Sequence, residues 1–511
     1  MITTLRAAVA VALLAGFYVL VAVITAVTVA ADFLLVRYGH SGGAKAAGVA
    51  TIAVIAMLRG ALLVGRRPAD PEPGVEISAA DEPALWHAVA ALARQARTRV
   101  PDEIRLVADV NAAVSEETRM LGLIAGRRRL YVGVPLLLSL TVDELRAVLC
   151  HELGHYSGAH TRLGGITYRG RISLNRTIAH LQGHAAVRSV FSLYAALFFR
   201  VSFAVSRRQE LEADATAVAV AGRRAMAEAL RKSRTSAAAW KFYVDSYCPL
   251  IPLAGARPPD LFAGYYALLR EPGRQRMFAR MLSVPEKRTP LDSHPSMADR
   301  LTAIERLPDP ALRPDTRPAL RLLASPDRAA RATQSTMLTP EAQRLPERDW
   351  PEIAGRALYA GTHSQAIADV FAAAGRLAGT ARPTAATVLR VLEAGGGRDL
   401  GGWLRDLKWA GDDAGAVAAR VTARALEGLL IEAGLAWYEF SWSADPQLFA
   451  RDGAPVDLTM AVLTAVTDPR RASSLAERLL RLGLSPSAVP RGDGSRPPAA
   501  AGAPSGFSQR C

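Results

Sequence analysis

Residues 7–31 read AAVAVALLAGFYVLVAVITAVTVAA, 25 consecutive positions without a charge. About 20 apolar residues in a helix cross a hydrocarbon core of about 30 Å, and a helix satisfies its own backbone polar groups there. The run is too long for the core of a signal peptide, and no small-residue cleavage site follows it. A second apolar run, Ala46 to Val64, is interrupted by Arg59, close enough to the end to snorkel. Together they predict an N-terminal transmembrane helical hairpin over residues 1–67. Arg6, Arg59, Arg66 and Arg67 lie outside the pair, against Arg37 and Lys45 between its members. That excess places both ends of the hairpin in the cytoplasm. A third apolar stretch, Val187 to Val205, carries Arg188 and Arg200. It either spans the bilayer or packs as a core or interfacial helix, and its own composition leaves both open.

At 511 residues the chain exceeds one compact domain and implies two or three units. Half of it is hydrophobic and 21% is charged, which excludes disorder for most of its length. The net charge of +15 comes from scattered arginines with 6% aromatics and no basic stripe, so nucleic acid is not expected as a partner. Cys150, Cys248 and Cys511 cannot build a disulfide framework and match no zinc-knuckle spacing.

After the Pro-rich break at 69–74, Asp81-Glu82-Pro83 opens an amphipathic helix with Leu85, Val89, Leu92 and Ala93 on one side. Residues 104–114 read as a strand, and 118–124 with 129–134 as a hairpin turning at 125–128. Thr141 and Glu144 form a capping box ahead of a helix to Gly154. Prolines cluster again between Pro308 and Pro318 and mark a second boundary. Residues 311–486 have helical patterning, including 403–410 and 414–433, with one histidine, His363, and no chemical motif. The Gly/Ser/Pro/Ala-rich tail, 487–511, reads as disordered.

Within the capped helix stands Cys150-His151-Glu152-Leu153-Gly154-His155, an HExxH motif. Four residues apart on a helix, His151 and His155 share a face and can reach one metal ion at about 2.0–2.1 Å. Glu152 lies beside them, suited to accept a proton from water rather than to bind metal. A third ligand must come from another element. Glu210 and Asp214 in Ser206–Asp214 (SRRQELEAD) are also four apart. Glu210 would complete a His, His, Glu set, and Asp214 would fix a ligand histidine through its other ring nitrogen. Glu212 points elsewhere, to a solvated or salt-bridged position. His180 and His184 repeat the spacing without the glutamate and read as a polar face. Cys150 reads as a small buried side chain.

Four landmarks then occur in a recognisable order: Asn111-Ala112 on a strand, HELGH at 151–155, SRRQELEAD at 206–214, and His294-Pro295 followed by Arg300. In these the chain resembles the HtpX and CAAX-prenyl-protease family of membrane zinc metallopeptidases, over about residues 75–307. The resemblance implies one zinc ion per chain held by His151, His155 and Glu210, with Asp214 behind the ligands and Glu152 as general base. It further implies that Asn111 lies on an edge strand that binds the substrate backbone, that His294 stabilises the oxyanion, and that Arg300 supports the site. After Asn111-Ala112 comes Ala113-Val114, where many members carry a bulkier aromatic.

The expected fold is mainly α (α+β): a zincin-like metalloprotease domain with a small β-sheet over 68–310, behind the transmembrane hairpin and ahead of the C-terminal helical region. The expected function is a multi-pass, membrane-anchored zinc metalloendopeptidase facing the cytoplasm. It would hydrolyse unfolded or membrane polypeptides in quality control, with the lipid bilayer as its other partner. Two alternatives are a signalling protease with one regulatory substrate and a non-catalytic zinc-containing membrane adaptor. Prenyl-protein processing is disfavoured, because such relatives carry more membrane helices.

Overall fold

The computed structural model describes residues 2–38, 48, 51–52, 54–59, 72–119, 124–156, 160–283, 289, 292, 294–310 and 312–491. Most of the second apolar run, 46–64, and the tail from 492 lie outside the described residues. The architecture is mainly α, with one four-stranded and one two-stranded sheet. Contacts divide the chain into two units, Met1–Ala238 with Ala279–Thr336, and Ala239–Phe278 with Met337–Cys511.

That division departs from the boundary read at 310. The segment Ala239–Phe278 packs with the C-terminal helices, because its Trp240, Tyr243, Tyr247 and Tyr265 form one aromatic cluster that includes Trp350. Conversely, the chain after Pro310 returns to the first unit. The amide of Val142 donates to Arg317 O at 2.8 Å, that of Ala319 to Leu140 O at 2.8 Å, and that of Ala324 to the buried Glu82 carboxylate. Linear proline content does not reveal such returns.

In the first unit the N-terminal helix Ile2–Tyr38 packs on the helices His160–His180 and Ala185–Ala221. Phe17, Val21, Leu174, Leu181, Phe191, Ala195 and Phe198 are buried among them, joined by Val54 and Met57 of the second apolar run. The same helices leave large apolar side chains bare, with Val19 61% and Leu193 77% exposed. Val11–Leu35 and Val187–Ala221 are long and apolar enough to cross a membrane. The third apolar stretch and the SRRQELEAD motif thus share one continuous helix of 37 residues, Ala185–Ala221.

The sheet runs β1 (Val75–Ile77), β2 (Glu103–Val107), β4 (Ile124–Gly133), β3 (Ala112–Arg119), with β2 and β4 parallel and the other pairs antiparallel. The single strand expected over 104–114 is therefore two, bent at 108–110. The hairpin turn also falls earlier than 125–128. Arg119 pairs with Ile124, and Gly126 lies inside β4, opposite a register shift between Glu116 and Thr118. A Cβ at Gly126 would come within 2.9 Å of Glu117 O, so that glycine serves close strand approach rather than a turn. The helix Pro83–Gln95 forms as the sequence predicts, with Leu85, Val89, Leu92 and Ala93 buried.

The second unit is built on Ala414–Glu432, a helix buried along most of its length. Around it lie helices Ser364–Leu377, Ala385–Glu393, Gly397–Asp406, Thr459–Thr467 and Ala472–Arg481, and the hairpin β5 (Ala436–Glu439) and β6 (Gln447–Ala450). The helix expected at 403–410 ends at Asp406. His363 is fully buried on a π-helical turn, its ring nitrogens 2.7 Å from Arg424 O and from the Tyr438 hydroxyl.

Candidate metal centre

The motif helix, Val142–Gly154, is fixed at its N-terminal end. Thr141 accepts from the Glu144 amide while the Glu144 carboxylate accepts from the Thr141 amide, the capping box legible in the sequence. Lys232 then holds that carboxylate at 2.7 Å. Leu145, Leu149 and Cys150 face the core, and burial pushes the Cys150 thiol up to about 12, consistent with an inert packing role. The helix lies along the C-terminal half of Ala185–Ala221, which brings HELGH to SRRQELEAD.

There the donor atoms of His151, His155 and Glu210 all lie within 4.8 Å of one another. The two Nε2 atoms are 3.2 Å apart, and Glu210 offers Oε2 to His151 at 3.5 Å and Oε1 to His155 at 3.6 Å. The rings stand edge to face at 86°. Two neutral imidazoles and one carboxylate are a donor set suited to a divalent cation such as zinc, with a position left for water. Among the described residues no other group of histidine, cysteine and carboxylate side chains is gathered in this way.

Behind the ligands a second row of contacts is complete. The buried Asp214 takes the other nitrogen of His151, Nδ1, at 2.9 Å. Arg300 grips the same carboxylate with two bonds, Nη2 to Oδ1 at 2.6 Å and Nε to Oδ2 at 2.9 Å. The sequence explains how Arg300 arrives: Ser296 caps the helix Met297–Glu305 by accepting from the Asp299 amide, and the first turn carries Arg300 inward. Arg207 of SRRQELEAD donates to Asp292 O at 2.6 Å, tying down the segment that leads to His294. His294 lies with Nδ1 3.1 Å from Glu210 Oε1 and remains largely exposed.

The electrostatics follow from this crowding. Burial alone pulls the His151 imidazole down, but its hydrogen bonds to Asp214 and Glu210 outweigh that and raise it to about 9. Burial, with His151 beside it, lowers His155 to about 4. Burial pushes the Glu152 carboxyl up to about 7, in the range of a group that both takes and returns a proton near neutrality. A ligand imidazole must be neutral, so a cation held here would displace a proton from His151.

Asn111 stands exposed one residue before β3, its carbonyl accepting from the Gly133 amide at 2.8 Å. β3 is an edge strand with β4 as its neighbour, and it packs on the motif helix. Gly133 makes that corner possible, since a Cβ there would lie 1.8 Å from Asp109 O. Glu212 does point away, into a pair with Arg208 at 2.9 Å. Sequence spacing does not single out Tyr156, whose hydroxyl donates to Val114 O of β3 at 2.6 Å. Only the folded proximity of helix end and strand reveals it.

Residues 84–307 match the family model described as peptidase family M48, a span that contains every site residue above. This segment is similar to peptidase family M48. Protease HtpX of Alkalilimnicola ehrlichii is 30% identical over 146 residues, 25% of this chain and 46% of that protein. The chain thus covers about half the length of that curated relative. No solved structure gives a significant match. The M48 match ends at 307, so it does not extend to the C-terminal helices.

Proposed function

We propose that this chain is a membrane-anchored zinc endopeptidase, with the ion held by His151, His155 and Glu210. The observation that carries this reading is the convergence of those three donors within 4.8 Å, beside a half-buried glutamate that is not one of them. Zinc bound there would polarise a peptide carbonyl and lower the pKa of a water toward ~7. Glu152 accepts the proton of the attacking water and returns it to the leaving amine. In its protonated form, which the hydrogen bond to Glu210 favours, His294 keeps Nδ1 on Glu210 and has its Nε2–H left to donate to the developing oxyanion. Asn111 and β3 receive the substrate backbone as an added strand. Asp214 and Arg300 hold the His151 ring in orientation.

The apolar helices anchor this site at the bilayer. Glu210 lies five residues beyond Val205, about 7–8 Å along one helix, so cleavage takes place close to the membrane surface. Unfolded or membrane polypeptides are the substrates such a position favours, with the catalytic side cytoplasmic, as in a quality-control protease. A signalling protease with one substrate is the second reading, favoured by the separate C-terminal unit with its own core.

The test is cleavage of unfolded casein by detergent-purified chain, wild type beside Glu152→Gln, with zinc measured on the same samples. Zinc in both and cleavage in wild type alone is the expected result. Loss of zinc from Glu152→Gln, or undiminished turnover by it, overturns the role of Glu152. Zinc in both and cleavage in neither shifts the reading to the narrow-substrate protease.

A further inference from the structure

We propose that the Tyr156 hydroxyl ends the stretch of β3 available to a substrate strand, and so sets how far a peptide can be drawn along the edge beside the metal centre. The proposal rests on the peptidase reading above.

Backbone geometry carries it. The Gly133 amide donates to Asn111 O, and Ala112 lies opposite Val132 in the antiparallel ladder. Hydrogen-bonded and non-bonded pairs alternate in such a ladder. Asn111, Ala113 and Ser115 therefore turn their amide and carbonyl toward β4, while Ala112 and Val114 turn theirs to the other side. No strand pairs on that side, since β4 is the strand next to β3 and no fifth strand joins the sheet among the described residues. Ala112 N–H, Ala112 C=O and Val114 N–H have no backbone partner there among the described residues. Val114 C=O differs, because the Tyr156 hydroxyl donates to it at 2.6 Å. An incoming strand would bring its own N–H to an oxygen that already holds a donor.

The block is built in. The Tyr156 amide donates to Leu153 O at 3.0 Å, and its carbonyl accepts from the Thr98 hydroxyl at 2.9 Å. The Arg128 guanidinium lies over the ring, 5.1 Å from its centre. Arg128 is itself buried and bound to Glu116, the Thr98 hydroxyl and Arg99 O. Just past Val114 the strand loses its regular register between Glu116 and Thr118. Tyr156 also follows His155 directly, so this stop is placed one residue from a metal-binding side chain. The usable edge is one full residue, Ala112, plus the Val114 amide. Tyr156 is a positioning residue: it acts through β3 and touches no reacting atom.

Tyr156→Phe removes the hydroxyl and keeps the ring under Arg128. Labelled ten-residue casein peptides, with the backbone amide methylated at one position at a time, are titrated onto zinc-loaded Glu152→Gln with and without Tyr156→Phe. KM and kcat are measured in parallel on the proteins that retain Glu152. The phenylalanine variant is expected to add one methylation-sensitive position and to lower Kd and KM by about 2- to 10-fold, the worth of one net hydrogen bond, while kcat moves less. Thr98→Val loosens the same contact and keeps the hydroxyl, so its methylation pattern should match wild type. If it mimics Tyr156→Phe, the effect is loosening and the assignment is overturned. An unchanged pattern and Kd in Tyr156→Phe overturn the role of Tyr156 and leave the peptidase reading standing. Cleavage by wild type without any peptide dependence on backbone methylation removes β3 as the substrate strand, and the proposal with it. Neither binding nor cleavage by any form overturns both readings together.

Discussion

Two histidine pairs in this chain have the same spacing and opposite surroundings. His151 and His155 lie at the end of one capped helix, faced by Glu210 and Asp214 from a second. His180 ends the helix His160–His180, while His184 precedes the helix Ala185–Ala221, so the second pair straddles a turn and shares no helical face. His180 is exposed and spends its Nδ1 on its own Arg176 carbonyl at 2.9 Å. In this chain the four-residue interval gathers a set of donors that could hold a metal ion where a second helix brings a carboxylate to the same point. The difference lies in the long helix Ala185–Ala221, which bares Leu193 near one end and buries Glu210 and Asp214 near the other.

The largest expected effect breaks the first pair. His155→Ala removes one of three donors and should leave purified protein without stoichiometric zinc and without detectable cleavage. Metal analysis showing zinc retained at one per chain would remove His155 from the ligand set. Next comes the row behind the ligands. Arg300→Ala leaves the buried Asp214 carboxylate with His151 as its charged partner, and Asp214→Asn replaces the acceptor that holds His151 Nδ1. Each should weaken zinc about 10- to 100-fold in a chelator competition. Because the two residues act as one unit, the double variant should fall well short of the product of the singles. Multiplicative losses would mean that Arg300 and Asp214 support the site separately.

How much of this was legible in the sequence follows the range of the interactions involved. The capping box, the buried face of Pro83–Gln95 and the shared face of His151 and His155 depend on neighbours within about one or two turns, and periodicity reads them well. The grouping of His151, His155 and Glu210 needed two distant motifs, each with helical spacing, and the resemblance to a family supplied their pairing. The break at 108–110 and the position of the β3–β4 turn were missed, because Gly126 serves close strand approach and reads like a turn signal. The exchange of 239–278 and 311–336 between units was missed as well. It depends on aromatic side chains meeting across more than a hundred residues, as Tyr243 and Trp350 do. Tyr156 has no signal at all in one dimension, since its partner Val114 is 42 residues away on a strand.

The smallest effect sharpens the comparison from its other side. His180→Ala with His184→Ala should leave zinc content and casein cleavage unchanged and thermal stability within about 0.5 kcal/mol, the usual range for exposed substitutions. His180 gives up one bond to a carbonyl of its own helix, and His184 makes no side-chain cap at the start of the long helix. A second equivalent of tightly bound zinc in wild type, absent from the double variant, would show that the turn can close around a metal ion. The rule drawn from the two pairs would then need a different term, with local chain reversal standing in for the second helix. Equal metal content in the two proteins leaves the carboxylate of Glu210 as the feature that separates a ligand pair from a solvated one.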